Sequence, residues 1–230
     1  MKATLEVYND RIKEIELYFN ALKQLYDNQP QEKTFDFYSD DFLKILKANA
    51  LIMVYNLVES SIMGGILEIY DELKSRGYSY KDVSSEIQEI WFSFKFKQVY
   101  DKSAHYNSYR YKAAEIINAI LQGETLVLDR KATDISGNLD AEKIRRICKD
   151  HGITYTIDPK CKGGVVLEDV KNKRNDLAHG TTSFVECGRY YAIDDLEQIK
   201  DQTIKFLNGI LQGMQQYYDG KKYLCTAINT

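Results

Sequence analysis

The residues with the greatest chemical potential lie together in Arg174-Asn175-Asp176-Leu177-Ala178-His179, directly before Gly180. An arginine, an amide and an imidazole in one short stretch can hold a phosphate, orient an oxygen and move a proton near neutral pH. The stretch reads as a helix, because Leu167, Val170, Arg174 and Leu177 fall on one stripe and Gly180 supplies a left-handed stop. A guanidinium therefore takes a core-facing slot. Left unpaired it would be strongly destabilising, so either a carboxylate meets it or that face opens into a wet groove or a subunit interface. Glu59 is the candidate partner, a lone carboxylate in the apolar run YNLVESSIM.

His179 follows Arg174 by five residues, so on an unbroken helix the two side chains point about 140° apart. Convergence requires the helix to end between them, and Gly180 places His179 in the last turn. A histidine so placed can serve as acid or base. Asn175 lies four residues before His179 on the same face, where its amide can fix the ring or bind a substrate oxygen. Asp176 is also within reach.

The elements that position these groups are helical. With only 2 Pro and 13 Gly in 230 residues, and long stretches of 3.6-residue periodicity, the chain reads as all-α. Helix one spans Thr4 to Asp27 with Thr4 as N-cap, and a second, apolar nearly all round, spans Asp40 to about Lys74. Its greasiest part, Ala50 to Val58, is half the length of a membrane span and is expected to be a buried helix. Asp82–Tyr100 and His105–Leu121 form a broken third arm. The insert, at about 123–163, should be mixed: TLVLD as a short strand, then a helix stopped at Gly152. After the helix that ends at Gly180, a turn or hairpin is expected over Thr181–Ile193. A final helix then starts at Asp194, with Glu197 completing a capping box. The whole is one domain, an antiparallel helical bundle carrying an insert.

A net charge of -3 excludes a uniformly basic nucleic-acid coat. Local charge differs, since Ala141 to Gly180 carries 9 basic and 6 acidic residues, a balance of +3. Arg145, Arg146, Lys149, Lys171 and Lys173 can track phosphates or simply form a solvated face. Tyr106, Tyr109, Tyr111, Tyr190 and Tyr191 can stack bases or merely pack, and His105 has no evident partner. Cys148, Cys161, Cys187 and Cys225 include no CxxC pair, so no metal site is expected and the thiols should be reduced. The charged N-terminal stretch lacks a signal-peptide core, which points to the cytoplasm and away from membranes. No phosphate-cradling Gly-rich loop, GxSxG or HExxH appears.

The segment RNDLAH resembles the signature of the HEPN superfamily, an arginine followed by a polar residue and then, four to six positions on, a histidine. The resemblance extends to the opening helix, the Glu-bearing apolar second helix, the SGNLDAEKIRRICKDHGI insert and the C-terminal helix, which look like stand-alone bacterial HEPN-like nucleases. It implies a four-helix bundle that forms a homodimer, joining two motifs in one RNA-cleaving groove without cofactor or metal. Arg174, Asn175 and His179 match the motif, and Glu59 matches by helix and charge as an Arg-orienting acid. The implied function is an endoribonuclease, as a toxin with a cognate antitoxin or as a defence component. On spacing alone, the same residues describe a structural ion pair and a capping histidine better than a site, and the resemblance reverses that balance; a binding module that does not cleave is the alternative function.

Overall fold

The computed structural model describes the chain except residues 29–39, 98–105, 134, 136 and 226–230. His105 thus lies outside the described residues, as does the side chain of Tyr106. Periodic apolar sequence becomes helix: α1 (Lys2–Asp27), α2 (Asp40–Ser75), α3 (Ser85–Lys97), α4 (Tyr106–Gln122), α5 (Ala141–Asp150), α6 (Val166–Ala178), α7 (Phe184–Arg189) and α8 (Ile193–Asp219). The all-α class expected from the periodicity is the one found.

α2 is the hub, packing against α1, α6, α7 and α8. Ala50, Leu51, Val54, Tyr55, Leu57 and Val58 are all buried, so the greasiest stretch is a core helix. α2 is also long and apolar enough to cross a membrane, although 56% of that window is buried within the fold. α1 runs antiparallel to α2, with Thr4 beside Glu68 and Tyr18 donating to the Leu46 carbonyl at 2.7 Å. It is also antiparallel to α8, where Tyr8 reaches Asn208 at 2.9 Å and Lys200 reaches Glu16 at 3.0 Å. These helices and α6 enclose one apolar core, in which α8 contributes Phe206, Leu207, Ile210 and Met214.

Four local expectations are corrected. Thr4 is not the N-cap but sits inside the first turn, because Glu68 of α2 accepts from its backbone N–H at 3.0 Å and its hydroxyl at 2.6 Å. Among the described residues the insert contains no strand: Leu126 and Leu128 alternate inward as a strand would, but Thr125 forms only an isolated bridge with Ser79. The segment after Gly180 is no hairpin but α7, whose first turn is capped by the Ser183 hydroxyl accepting from Glu186 N–H at 3.1 Å. α8 begins one residue earlier than expected. There Asp195, not Glu197, closes the cap by accepting from Ala192 N–H at 3.0 Å.

The insert is attached through small residues. Gly209 and Gly213, one turn apart on α8, let the extended backbone around Thr154–Ile157 lie directly on the helix, and a Cβ at either would overlap a carbonyl oxygen of that stretch. A buried polar pair adds a second anchor at the end of α5. His151 Nδ1 must donate to the Ile147 carbonyl at 2.7 Å, so its Nε2 accepts from the Tyr70 hydroxyl at 2.7 Å. Burial holds the His151 pKa below its ordinary value, against the opposing pull of the Ile147 carbonyl. Burial also pushes the Cys148 thiol up to about 12, leaving it inert near neutral pH.

Two outcomes follow from this anchoring. Gly209→Ala should destabilise the fold by about 1–3 kcal/mol in chemical unfolding, since the extended stretch must move off α8. A neutral His151 in the folded state contributes stability that is present above its unfolded pKa near 6.5 and is lost as pH falls below it. The melting temperature should therefore drop between pH 7 and 5, and His151→Gln should flatten that profile at a lower overall stability.

Candidate active site

Where α2 meets α6, Tyr55 and Glu59 are one turn apart on α2 and share a face. Tyr55 is fully buried, and the Arg174 guanidinium lies over its ring, 4.8 Å from the centroid. Arg174 Nη2 stands 4.0 Å from Glu59 Oε2, and Nη1 donates to Asn175 Oδ1 at 3.0 Å and to the Gly137 carbonyl at 3.3 Å. The Arg174 side chain keeps 29% exposure and that of Glu59 21%. Both alternatives posed by a core-facing arginine are thus realised together: a carboxylate meets it, and its face is partly wet.

The insert closes over this cluster. Asn138 Oδ1 accepts from Asn175 Nδ2 at 2.6 Å, and Asp140 Oδ2 pairs with Lys171 Nζ at 2.6 Å. Between them Leu139 is fully buried, with its N–H donating to the Tyr55 hydroxyl at 3.2 Å. Asp140 also caps α5 by accepting from Lys143 N–H at 2.9 Å. Burial alone would raise the Asp140 pKa, but the Lys171 ammonium and the Lys143 N–H outweigh it and hold the carboxyl below its ordinary value. The same bond raises the Lys171 pKa.

His179 ends α6. Gly180 takes φ +69°, Thr181 N–H returns to the Asp176 carbonyl at 2.9 Å and Gly180 N–H to Leu177 at 3.3 Å, the paired bonds of a Schellman stop. α6 ends at Ala178, but the C-cap His179 keeps right-handed helical dihedrals and its N–H still bonds to the Asn175 carbonyl at 2.9 Å, so its side chain follows the helix away from Arg174 and the expected convergence is not made within one copy. Arg174 turns to α2, while His179 is exposed and its ring makes no hydrogen bond among the described residues. Asn175 likewise does not orient that ring. Its amide is occupied by Arg174 and Asn138.

The expected phosphate-tracking residues separate. Lys171 is tied to Asp140, and Lys173 lies over the exposed ring of Tyr190, 6.0 Å from its centroid. Arg145 donates to the Gly163 carbonyl and sits 5.7 Å from the Phe206 ring centroid, which makes it a brace for the turn before α6. Arg146 lines a different cleft of about 520 Å³, between α3 and α5. Tyr191 donates to Asp169 at 2.6 Å, and Tyr111 is exposed on α4. Tyr55, Arg130 and Asn138 escaped the sequence reading. Tyr55 was legible as the residue one turn before Glu59, but no spacing pointed to Arg130, whose Nη2 lies 3.6 Å from Glu59 Oε1.

The described residues thus form a helical bundle in which the capped end of α6 carries Arg174 and His179 on different sides. The family model described as HEPN_MAE_28990-like HEPN matches residues 2–223, and the chain belongs to that family. Comparison with curated proteins and with solved structures finds no match.

Two substitutions separate the roles of the α2 side chains. Tyr55→Phe keeps the ring beneath Arg174 but leaves the buried Leu139 N–H unpaired, so it should cost about 1–3 kcal/mol in urea unfolding. Glu59→Ala should cost no more than about 1 kcal/mol, because both guanidiniums that it meets remain partly hydrated.

Proposed function

We propose that this HEPN domain is a metal-independent endoribonuclease that acts as a dimer, and that its biological setting is a cytoplasmic toxin or defence nuclease checked by a cognate protein. The observation that carries this reading is the division of labour along one helix. Arg174 is rooted against Tyr55 and Glu59 with part of its guanidinium wet, while His179 is presented to solvent at the Gly180 stop. Because the two point apart on an unbroken helix, one copy cannot close a compact site around a scissile phosphate. A two-fold arrangement of α6 ends would set each histidine opposite the other copy's arginine.

The chemistry needs few groups. The ribose 2′-hydroxyl attacks the adjacent phosphorus and the bond to the 5′ oxygen breaks, which leaves a 2′,3′-cyclic phosphate. His179 of one copy takes the 2′ proton and its counterpart protonates the departing 5′ oxygen. Arg174 offsets the extra charge on the phosphoryl oxygens. DNA lacks the nucleophile and should survive.

A second reading is favoured by one observation: the Asn175 amide and part of the Arg174 fork are already bonded to the insert loop, as in a module that binds without cutting. Labelled RNA incubated with purified protein in excess EDTA tests both. The expected result is cutting with cyclic-phosphate ends, unchanged by the chelator. His179→Ala should lower the rate by about 10²-fold or more with the melting temperature unmoved. Binding without cutting would establish the second reading, and an equal loss of fold and activity in His179→Ala would mark that residue as a cap.

A further inference from the structure

The polar contacts around Arg174 form one continuous chain whose two ends both belong to the insert. Arg130 meets Glu59 at 3.6 Å, Glu59 meets Arg174 at 4.0 Å, Arg174 donates to Asn175 at 3.0 Å, and Asn175 donates to Asn138 at 2.6 Å. The direction of this chain is forced. Arginine can only donate, so Asn175 must turn its oxygen to Arg174 and its amino group outward, and Asn138 must then accept with its oxygen. What remains at the exposed Asn138 is an amino group with no partner among the described residues.

The other end is also a donor. Arg130 is 67% exposed, and it shares the single Glu59 carboxylate with Arg174, so two guanidiniums face one negative charge. The cluster therefore carries an excess positive charge and ends on both sides in N–H groups directed at solvent. The geometry is fixed from below: Leu139 is fully buried and bonded to Tyr55, so the insert is held in place against the motif helix.

We propose that Arg130 and Asn138, both supplied by the insert, are substrate-binding residues that flank Arg174 and hold the phosphodiester backbone of single-stranded RNA. This rests on the RNA reading of the same site and names how the substrate is gripped. Anionic oxygens suit both ends, a bidentate fork at Arg130 and a neutral amide donor at Asn138. Backbone contacts of this kind set affinity and register without reading bases.

Asn138→Asp is the informative variant. Its carboxylate still accepts from Asn175, so the chain and the fold are kept, but the outward donor is replaced by a negative charge. Arg130→Gln removes the excess charge without touching Arg174. Binding of a labelled 2′-O-methyl RNA, which lacks the nucleophile, is measured by anisotropy across a salt series in EDTA, alongside KM and kcat on ordinary RNA. Each variant should weaken binding about 10-fold, and Arg130→Gln should reduce the slope of log affinity against log salt by about 0.7. KM should rise with kcat little changed, at wild-type melting temperature.

Wild-type affinity and salt slope in both variants, with cleavage by the parent protein intact, would overturn the inference while the nuclease stands. Weakened binding by the variants of a parent that does not cut would support the inference and remove the nuclease. A parent that neither binds nor cuts RNA overturns both.

Discussion

One buried side chain on the central helix, Tyr55, ties the arrangement together, with Arg174 over its ring and the Leu139 N–H donating to its hydroxyl. Glu59 interrupts the apolar middle of α2, and a carboxylate there needs compensating charge. Two guanidiniums, Arg174 from α6 and Arg130 from the insert, supply it. The arginine of the motif is thereby given a defined place over Tyr55, which in turn fixes the loop of the insert through Leu139. Helix α6 and the insert loop are thus registered against α2 at one point. The resulting cluster is partly hydrated, which leaves it able to meet an anion instead of being sealed as a purely structural pair.

The insert is more than an addition on the surface of the bundle. It lies against the glycine face of α8 on one side and against the Arg-Asn face of α6 on the other. Each attachment uses backbone: the carbonyls near Gly209 and Gly213, the Gly137 carbonyl and the Leu139 N–H. The backbone contacts are sensitive to shape at the helix that receives them, while Asn138, Asp140 and Arg130 add side-chain contacts of the insert's own. The His151–Tyr70 pair adds a buried polar lock whose strength depends on the ring staying neutral.

The separation of Arg174 from His179 follows from helix geometry. Four intervening residues on a continuous helix turn the two side chains away from each other, and the Schellman stop comes one residue too late to undo this. A single copy therefore carries a partly wet guanidinium and an exposed imidazole on different sides of the same helix end.

Much of this is written locally in the sequence. The helical class, the burial of Ala50–Val58, the Gly180 stop and the Glu59–Arg174 encounter all follow from periodicities and charge misfits that reside in the sequence itself. Such signals are local, carried by residues within a turn or two of one another, or by a buried charge that demands an opposite one. What only the tertiary structure decided was non-local. Leu126 and Leu128 alternate like a strand but find no neighbouring strand. Thr4 gives up a capping role to Glu68. Asn175 turns to Asn138 instead of His179, and Arg130 arrives beside Glu59 from a turn with no distinguishing pattern. The outcome at each of these positions depends on which distant surface reaches it first, and that is set by how whole helices cross and pack, a property that no short stretch of residues encodes alone.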